Sequence, residues 1–353
     1  MFQPLSGLKS SEGYEKTSSL TSTHLENLLV KLEDYFPSLS IEEYDWFSVN
    51  VAPLTFQKAI DKAAVGIPGL AILYKAPGQA SGKIIVSTNA GAWANGAAVL
   101  TQQGGQSFGV TLEHVVGNND NIKFLAYNNV PPGMPNVKTK SNSKVVQPFQ
   151  GVIILQTPVN TDAASWIVHT VPGFPAAKTG YSWPVAENAN GHLLICLTIS
   201  KSQINAIDGQ FPTVPPYLSR QSIKTAGQPA VTVNVYSKSA TSRYEIYRRV
   251  IVKALKKTIK VWSRRDNKLK GDCRVVERNI RLIKSPAPVG DHNTNLDADL
   301  TNWAVSDPGN IFCFIDRPYA KSQTVQSAMA VCIDQAAIFA KFNDIAAQVE
   351  NCL

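Results

Sequence analysis

The chain has 353 residues, enough for two domains or one large one. Its 44% hydrophobic and 17% charged content excludes a disordered chain, and no run approaches the ~18 apolar residues of a membrane span. The formal charge of +8 is uneven: residues 243–284 hold 15 of the 34 Lys and Arg against four acids, a local +11 that leaves −3 for the rest.

Residues 1 to about 20 are polar and read as an arm. Thr23 and Glu26 have capping-box spacing, and Leu25, Leu28, Leu29 and Leu32 follow at helical spacing. This predicts an amphipathic helix over His24–Tyr35 that packs on its own core or on a neighbouring subunit. The opening residues carry no apolar core of signal-peptide length, which suggests a cytoplasmic start. From Asp45 the pattern turns to β: Trp46–Val51, Leu70–Tyr74 and Lys83–Ser87 are predicted strands, with helical material near Phe56–Ala64. Asn89, Gly91, Gly96 and Gly104–Gly105 then mark a loop-rich stretch. Ile122–Tyr127 and Gly151–Gln156 read as strands.

Next comes Ser165–Pro184, the stretch around which the chain is organised. Trp166–Val171 is an apolar strand broken by His169, which shares a face with Ile167 and Val171. Pro172, Gly173 and Pro175 stop the strand, and Tyr181 to Pro184 close the loop. On the residues alone, His169 is either a structural imidazole at a sheet edge or a site residue. Leu193–Ile199 is another strand. Ser200–Ile207 resembles a helix start capped by Ser200 or Ser202, and a boundary is placed near 210–225, with a loop running to Ala230.

The second half opens with the strand Val231–Tyr236. Ser242–Lys257 is helical, with Tyr244, Tyr247, Val250, Ile251 and Leu255 on one side and Arg248, Arg249, Lys253, Lys256 and Lys257 mostly on the other. Ile259–Trp262 and Arg274–Ile283 are predicted as an antiparallel pair around a turn at Asp266–Gly271. Ile311–Ile315 is a strand, and Thr324–Val349 a long Ala-rich closing helix. Asp297 and Asp299, two apart, would point away from each other on a helix. The five cysteines form no CxxC pair, so no zinc or redox motif is read; the odd count leaves at least one thiol unpartnered within the chain.

The central stretch, SWIVHTVPGFP followed by YSWP and HLLICLTIS, resembles the middle of the deoxyribonuclease II family, the acid DNases. Asp45-Trp46-Phe47 with Pro53, Phe124–Asn129 with Pro131-Pro132, Gly151–Leu155, and Trp303–Ser306 with Cys313 and Cys332 resemble further pieces in the same order, from about Asp45 to Cys352. The resemblance implies a mixed α/β, phospholipase D-like fold of two α/β subdomains, each a central mixed sheet flanked by helices. The division expected is 1–44 as an added segment, 45–215 as the first subdomain and 216–353 as the second. It also implies disulfides Cys313–Cys332 and Cys273–Cys352 and leaves Cys196 a buried free thiol. The family is secreted or lysosome-like, against the cytoplasmic reading of the start.

The family cleaves DNA with two His-x-Lys motifs and no metal or cofactor. On a strand, residues i and i+2 share a face, so an imidazole and an ammonium reach one phosphate together. Here the first motif's slot reads Pro148-Phe149-Gln150 and the second's Leu300-Thr301-Asn302. An insertion would offer His292-Asn293-Thr294, still without a lysine. The family's Arg-glycine segment reads from Gln326 without arginine or glycine. Of the family's functional histidines, only His169 is retained by an ungapped match. The expectation is a catalytically inactive relative kept as a binding or self-assembling protein, a homo-oligomer. DNA is its possible partner through the basic segment (Arg248, Arg249, Arg264, Arg265, Lys268 and Lys270), a segment that also reads as an ordinary solvated face. The alternative is an active, metal-independent endodeoxyribonuclease using His169 and His292.

Overall fold

The computed structural model describes residues 50–51, 69–117, 121–127, 132, 150–156, 162–208, 215–265 and 269–351. The expected helices at His24–Tyr35 and Phe56–Ala64 lie outside them.

Among the described residues seventeen strands form two large sheets and one small one. The first sheet contains β1 (Asn50–Val51), β2 (Leu70–Lys75), β3 (Lys83–Val86), β4 (Asn89–Asn95), β5 (Asn121–Tyr127), β6 (Gln150–Gln156), β7 (Ala164–His169) and β8 (His192–Ile199), in the order β1-β5-β6-β7-β8-β2-β3-β4. The second contains β9 (Leu218–Lys224), β10 (Thr232–Lys238), β11 (Thr258–Trp262), β12 (Ile280–Leu282), β15 (Trp303–Asp307), β16 (Ile311–Ile315) and β17 (Ala328–Asp334), in the order β12-β11-β15-β16-β17-β10-β9. Between them in sequence, β13 (Ala287–Val289) and β14 (His292–Thr294) pair as a hairpin. Every pairing in the first sheet is antiparallel; the second contains one parallel pair, β11 with β12.

The central strands are apolar runs rather than alternations because both faces of each sheet are covered at its centre. Leu70, Ile72 and Tyr74 of β2 point into a core shared with Val233, Val235, Phe312 and Phe314 of the second sheet. Ala71 and Leu73 point the other way, to a cluster closed by short helices at Ser107–Thr111 and Glu113–Val116. The outer face of the second sheet packs under a π-helix, Ile246–Val252. Phe342, on the closing helix Ala336–Ile345, ties the halves together: its ring lies 3.8 Å from Phe312, 5.2 Å from Trp303 and 6.2 Å from Tyr74.

One topology occurs twice. In chain order, β2, β5, β6, β7 and β8 build the array β5-β6-β7-β8-β2; β10, β11, β15, β16 and β17 build β11-β15-β16-β17-β10 in the same order. Each array has a 3₁₀ turn ahead of its β8 or β17 strand, at Val185–Ala189 and Lys321–Val325.

Several predicted elements are corrected. The expected antiparallel pair is parallel, Ile259 opposite Ile280 and Val261 opposite Leu282. The intervening chain is long enough to return to the start of β11, and Asp272 exchanges backbone hydrogen bonds with Ile280 on the way. The long closing helix is confined to Ala336–Ile345, because Ala328–Asp334 is a central strand between β16 and β10. Alanine's helix preference yields there to burial between two strands. The loop-rich stretch after Ser87 contains β4, and the expected loop before Ala230 contains β9. Both are edge strands whose polar residues hide the pattern. The helix start at Ser200 is present, Ser200 being the N-cap residue of a 3₁₀ turn, Lys201–Gln203, that runs into the helix Ile204–Asp208; it makes no side-chain cap bond, and its hydroxyl bonds that of Ser202 at 2.7 Å.

Candidate functional site

The first half's candidate site lies at one end of β6, β7, β8 and β2. Gln150 opens β6, His169 ends β7, and the antiparallel register sets them directly opposite each other. His192 opens β8 opposite Lys75, the last residue of β2. All four side chains are buried.

His169 Nδ1 accepts the Val171 N–H at 3.2 Å, which leaves the proton on Nε2. Neither that Nε2–H nor Gln150 Oε1 has a hydrogen-bond partner among the described residues. Burial, with His192 adding to it, pulls His169 down to about 3. It is therefore a neutral imidazole at neutral and mildly acid pH, edge-on to Phe174 at 5.9 Å. His192 is fully tied: Nδ1 to Thr170 Oγ1 at 3.1 Å and Nε2 to Glu187 Oε2 at 2.9 Å. Burial lowers its pKa despite the carboxylate. Burial alone would raise Glu187, but hydrogen bonds from His192 and Asn190, with the charges of His192 and Lys75, bring it below its ordinary value.

In the second half, Asn302 directly precedes β15, and its carbonyl accepts the Ile315 N–H at 2.9 Å. Asn302 thus takes the place of Gln150, and Ile315 that of His169. The amide is engaged: Asn302 Oδ1 accepts from Ser263 Oγ at 2.7 Å, and Ser263 Oγ accepts the Tyr319 N–H at 2.8 Å. Glu245, which also accepts from Gln323 Nε2 at 2.5 Å, is raised by burial to about 7 against backbone hydrogen bonds from Arg248 and Tyr247.

Two lysines that sequence reasoning passed over hold equivalent places. Lys75 Nζ donates to the carbonyls of Ala76, Asn188 and Asn190; Lys238 Nζ, at the end of β10, donates to those of Gln323, Thr324 and Gln326. Each staples its 3₁₀ turn to the sheet, and burial pulls each down to about 8. A polar residue ending an apolar strand, as in Leu-Tyr-Lys75 and Val-Tyr-Ser-Lys238, was the signal available.

Asp299 was also missed. Fully buried, it accepts from Tyr74 Oη at 2.6 Å, Trp262 Nε1 at 3.0 Å, Thr294 Oγ1 at 2.5 Å and Thr301 N at 2.9 Å. Tyr74 belongs to the first sheet and Trp262 to the second, so one carboxylate joins both. Gly191 abuts it: a Cβ there would lie 2.7 Å from Asp299 Oδ1, so only glycine fits.

The remaining predicted positions scatter. Pro148, Lys268 and Cys352 lie outside the described residues. Leu300 is buried and its N–H donates to the Gly191 carbonyl. His292 sits on the β13–β14 hairpin, 3.9 Å from Asp291, which pairs with Lys83. Gln326 supplies a carbonyl to Lys238. Arg248 pairs with Asp272 at 3.2 Å, Arg264 donates to the Leu296 and Asp297 carbonyls, and Arg265 forks onto Glu350. Arg249 and Lys270 are exposed. Cys313 and Cys332 form a disulfide across β16 and β17; Cys273 is also disulfide-bonded, and Cys196 is buried and free. Among the described residues no group of His, Cys, Asp and Glu could hold a metal, and no helix is long and apolar enough to cross a membrane.

Two stacked sheets of repeated topology, with paired polar positions at equivalent strand ends, define a mixed α/β protein of the phospholipase D-like class. The family model for deoxyribonuclease II matches residues 72–231 and 212–352, and the chain belongs to that family. Asp45-Trp46-Phe47 lie ahead of the matched span. Deoxyribonuclease-2-alpha of Bos taurus is 23% identical over 259 residues, covering 64% of this chain and 69% of its own length. That of Rattus norvegicus is 22% identical over 344 residues, covering 87% and 91%. Plancitoxin-1 of Acanthaster planci is 23% identical over 271 residues, covering 66% and 72%.

Proposed function

We propose that this chain is a deoxyribonuclease II relative that has given up hydrolysis and serves as a binding or self-assembling protein. The reading is carried by Gln150 and Asn302, amides at the two places where the family's motif has lysine. Neither can neutralise a phosphorane, and Pro148 and Leu300 beside them supply no nucleophile. Positioned acid–base groups are worth roughly 10²–10⁴-fold each, and nucleophiles and charge clamps similar factors, so the losses multiply. His169 is buried with an imidazole at about 3, too weak a base and too rarely an imidazolium to replace the missing pairs.

Binding to DNA is the partner reading, and the free cations that support it are Arg249 and Lys270 rather than the internally paired Arg248, Arg264 and Arg265. The full chain in EDTA should retain duplex DNA at low salt, lose it steeply as salt rises, and return it uncut. Cut DNA would overturn the loss of hydrolysis. Retention indifferent to salt, or none at all, would remove DNA as the partner. A strict monomer at high concentration would remove self-assembly.

A further inference from the structure

Two valines stand outward on the turn between β11 and β12. Val276 is 85% exposed and Val275 44%, in a protein whose large apolar side chains are otherwise mostly buried. The turn is braced from behind. Asp272 accepts from Arg274 Nε at 2.9 Å and Nη2 at 2.8 Å and pairs with Arg248 on the π-helix, whose guanidinium also donates to the Arg278 carbonyl. The Arg278 N–H closes onto the Val275 carbonyl at 3.1 Å, and Cys273 is held by a disulfide. Glu277 takes φ +61°, a left-handed conformation that non-glycine residues seldom adopt. The valines are thus presented by a fixed turn. Arg274, Arg278 and Lys270 are exposed around them; of the two acids, Asp272 is neutralised and only Glu277 is free to repel.

We infer that this turn docks the protein on an anionic lipid surface, Val275 and Val276 entering the interface while the basic residues meet headgroup phosphates. Charge and apolarity select the occupant together. A nucleic-acid backbone gives outward valines no apolar contact. Two valines fall far short of the roughly 1,200 Å² that a stable protein interface buries. A lipid interface needs only a small apolar insertion combined with attraction between basic residues and anionic headgroups, and the segment 243–284 carries +11. The inference stands independently of the loss of hydrolysis.

The test is co-sedimentation of the full chain with vesicles of phosphatidylcholine alone and of phosphatidylcholine with phosphatidylserine. Binding is expected to the second only, weakening with salt. Val275→Ser with Val276→Ser, which keeps the charge, should lower it roughly tenfold or more, the worth of burying such side chains. Val276→Trp should keep binding and add fluorescence that brominated lipid quenches beyond the wild-type signal. No binding to the anionic vesicles at low salt, undiminished binding by the double serine variant, or no added quenching would each overturn the inference; the last two would assign the surface to charge alone.

Discussion

The two arrays share a topology and differ in how their polar ends are satisfied. At the end of the first, Gln150 and His169 face each other, each with one buried polar atom that has no partner among the described residues. At the end of the second, Asn302 is bonded to Ser263, and an aliphatic Ile315 stands where His169 would be. The structural lysines show the reverse. Lys75 and Lys238 each make three hydrogen bonds to carbonyls of equivalent turns. The two lysines hold equivalent places, while Gln150 with His169 and Asn302 with Ile315 differ in how they are satisfied. One end was absorbed into the hydrogen-bonded interior and the other was left open.

The comparison breaks first at the lysines if it breaks anywhere. Lys75→Met and Lys238→Met each strand three carbonyl acceptors, and unmade buried hydrogen bonds cost about 1–3 kcal/mol apiece. Each variant should therefore lose roughly 3 kcal/mol or more by denaturant unfolding, and by similar amounts. A large loss in one half and none in the other would deny the equivalence.

Next in size is the acid response of His169, in the first half. The unfolded chain protonates His169 below the ordinary histidine value of 6.5, whereas the folded chain resists until about 3. The folded state binds fewer protons in that window, so stability falls as pH drops through it, by roughly 1.4 kcal/mol per pH unit from this group. His169→Leu, which copies the aliphatic Ile315, should flatten the slope between pH 6 and about 4, read by urea unfolding at each pH. An unchanged slope would assign acid sensitivity elsewhere.

The smallest effect separates the amides. Asn302→Ala removes a buried partner of Ser263 and should cost about 1 kcal/mol, whereas Gln150→Ala, whose Oε1 has no partner, should cost a few tenths. Equal losses would mean that the first end is as fully bonded as the second.

Much of this was legible in the sequence because buried strands announce themselves. Gly151–Leu155, Leu193–Leu197 and Ile311–Ile315 are unbroken apolar runs. The edge strands β4 and β9 were hidden because half their residues face water, and Ala328–Asp334 because alanine suits either structure until its neighbours are known. Of the candidate site, Gln150, His169 and Asn302 were readable from the residues beside them. Asp299 was set aside as one of a pair pointing apart, because its four donors come from residues as far away as Tyr74. No local pattern could reveal that convergence. The same holds for the cross-strand meeting of Gln150 with His169, which depends on the register of β6 against β7.

The measurement that bears most directly on the loss of hydrolysis is single-turnover cleavage of supercoiled plasmid by excess purified full chain in EDTA, at acidic and neutral pH. The account predicts that wild type is indistinguishable from His169→Ala, His292→Ala and a protein-free control. Robust cutting that disappears with His169→Ala or His292→Ala would contradict it.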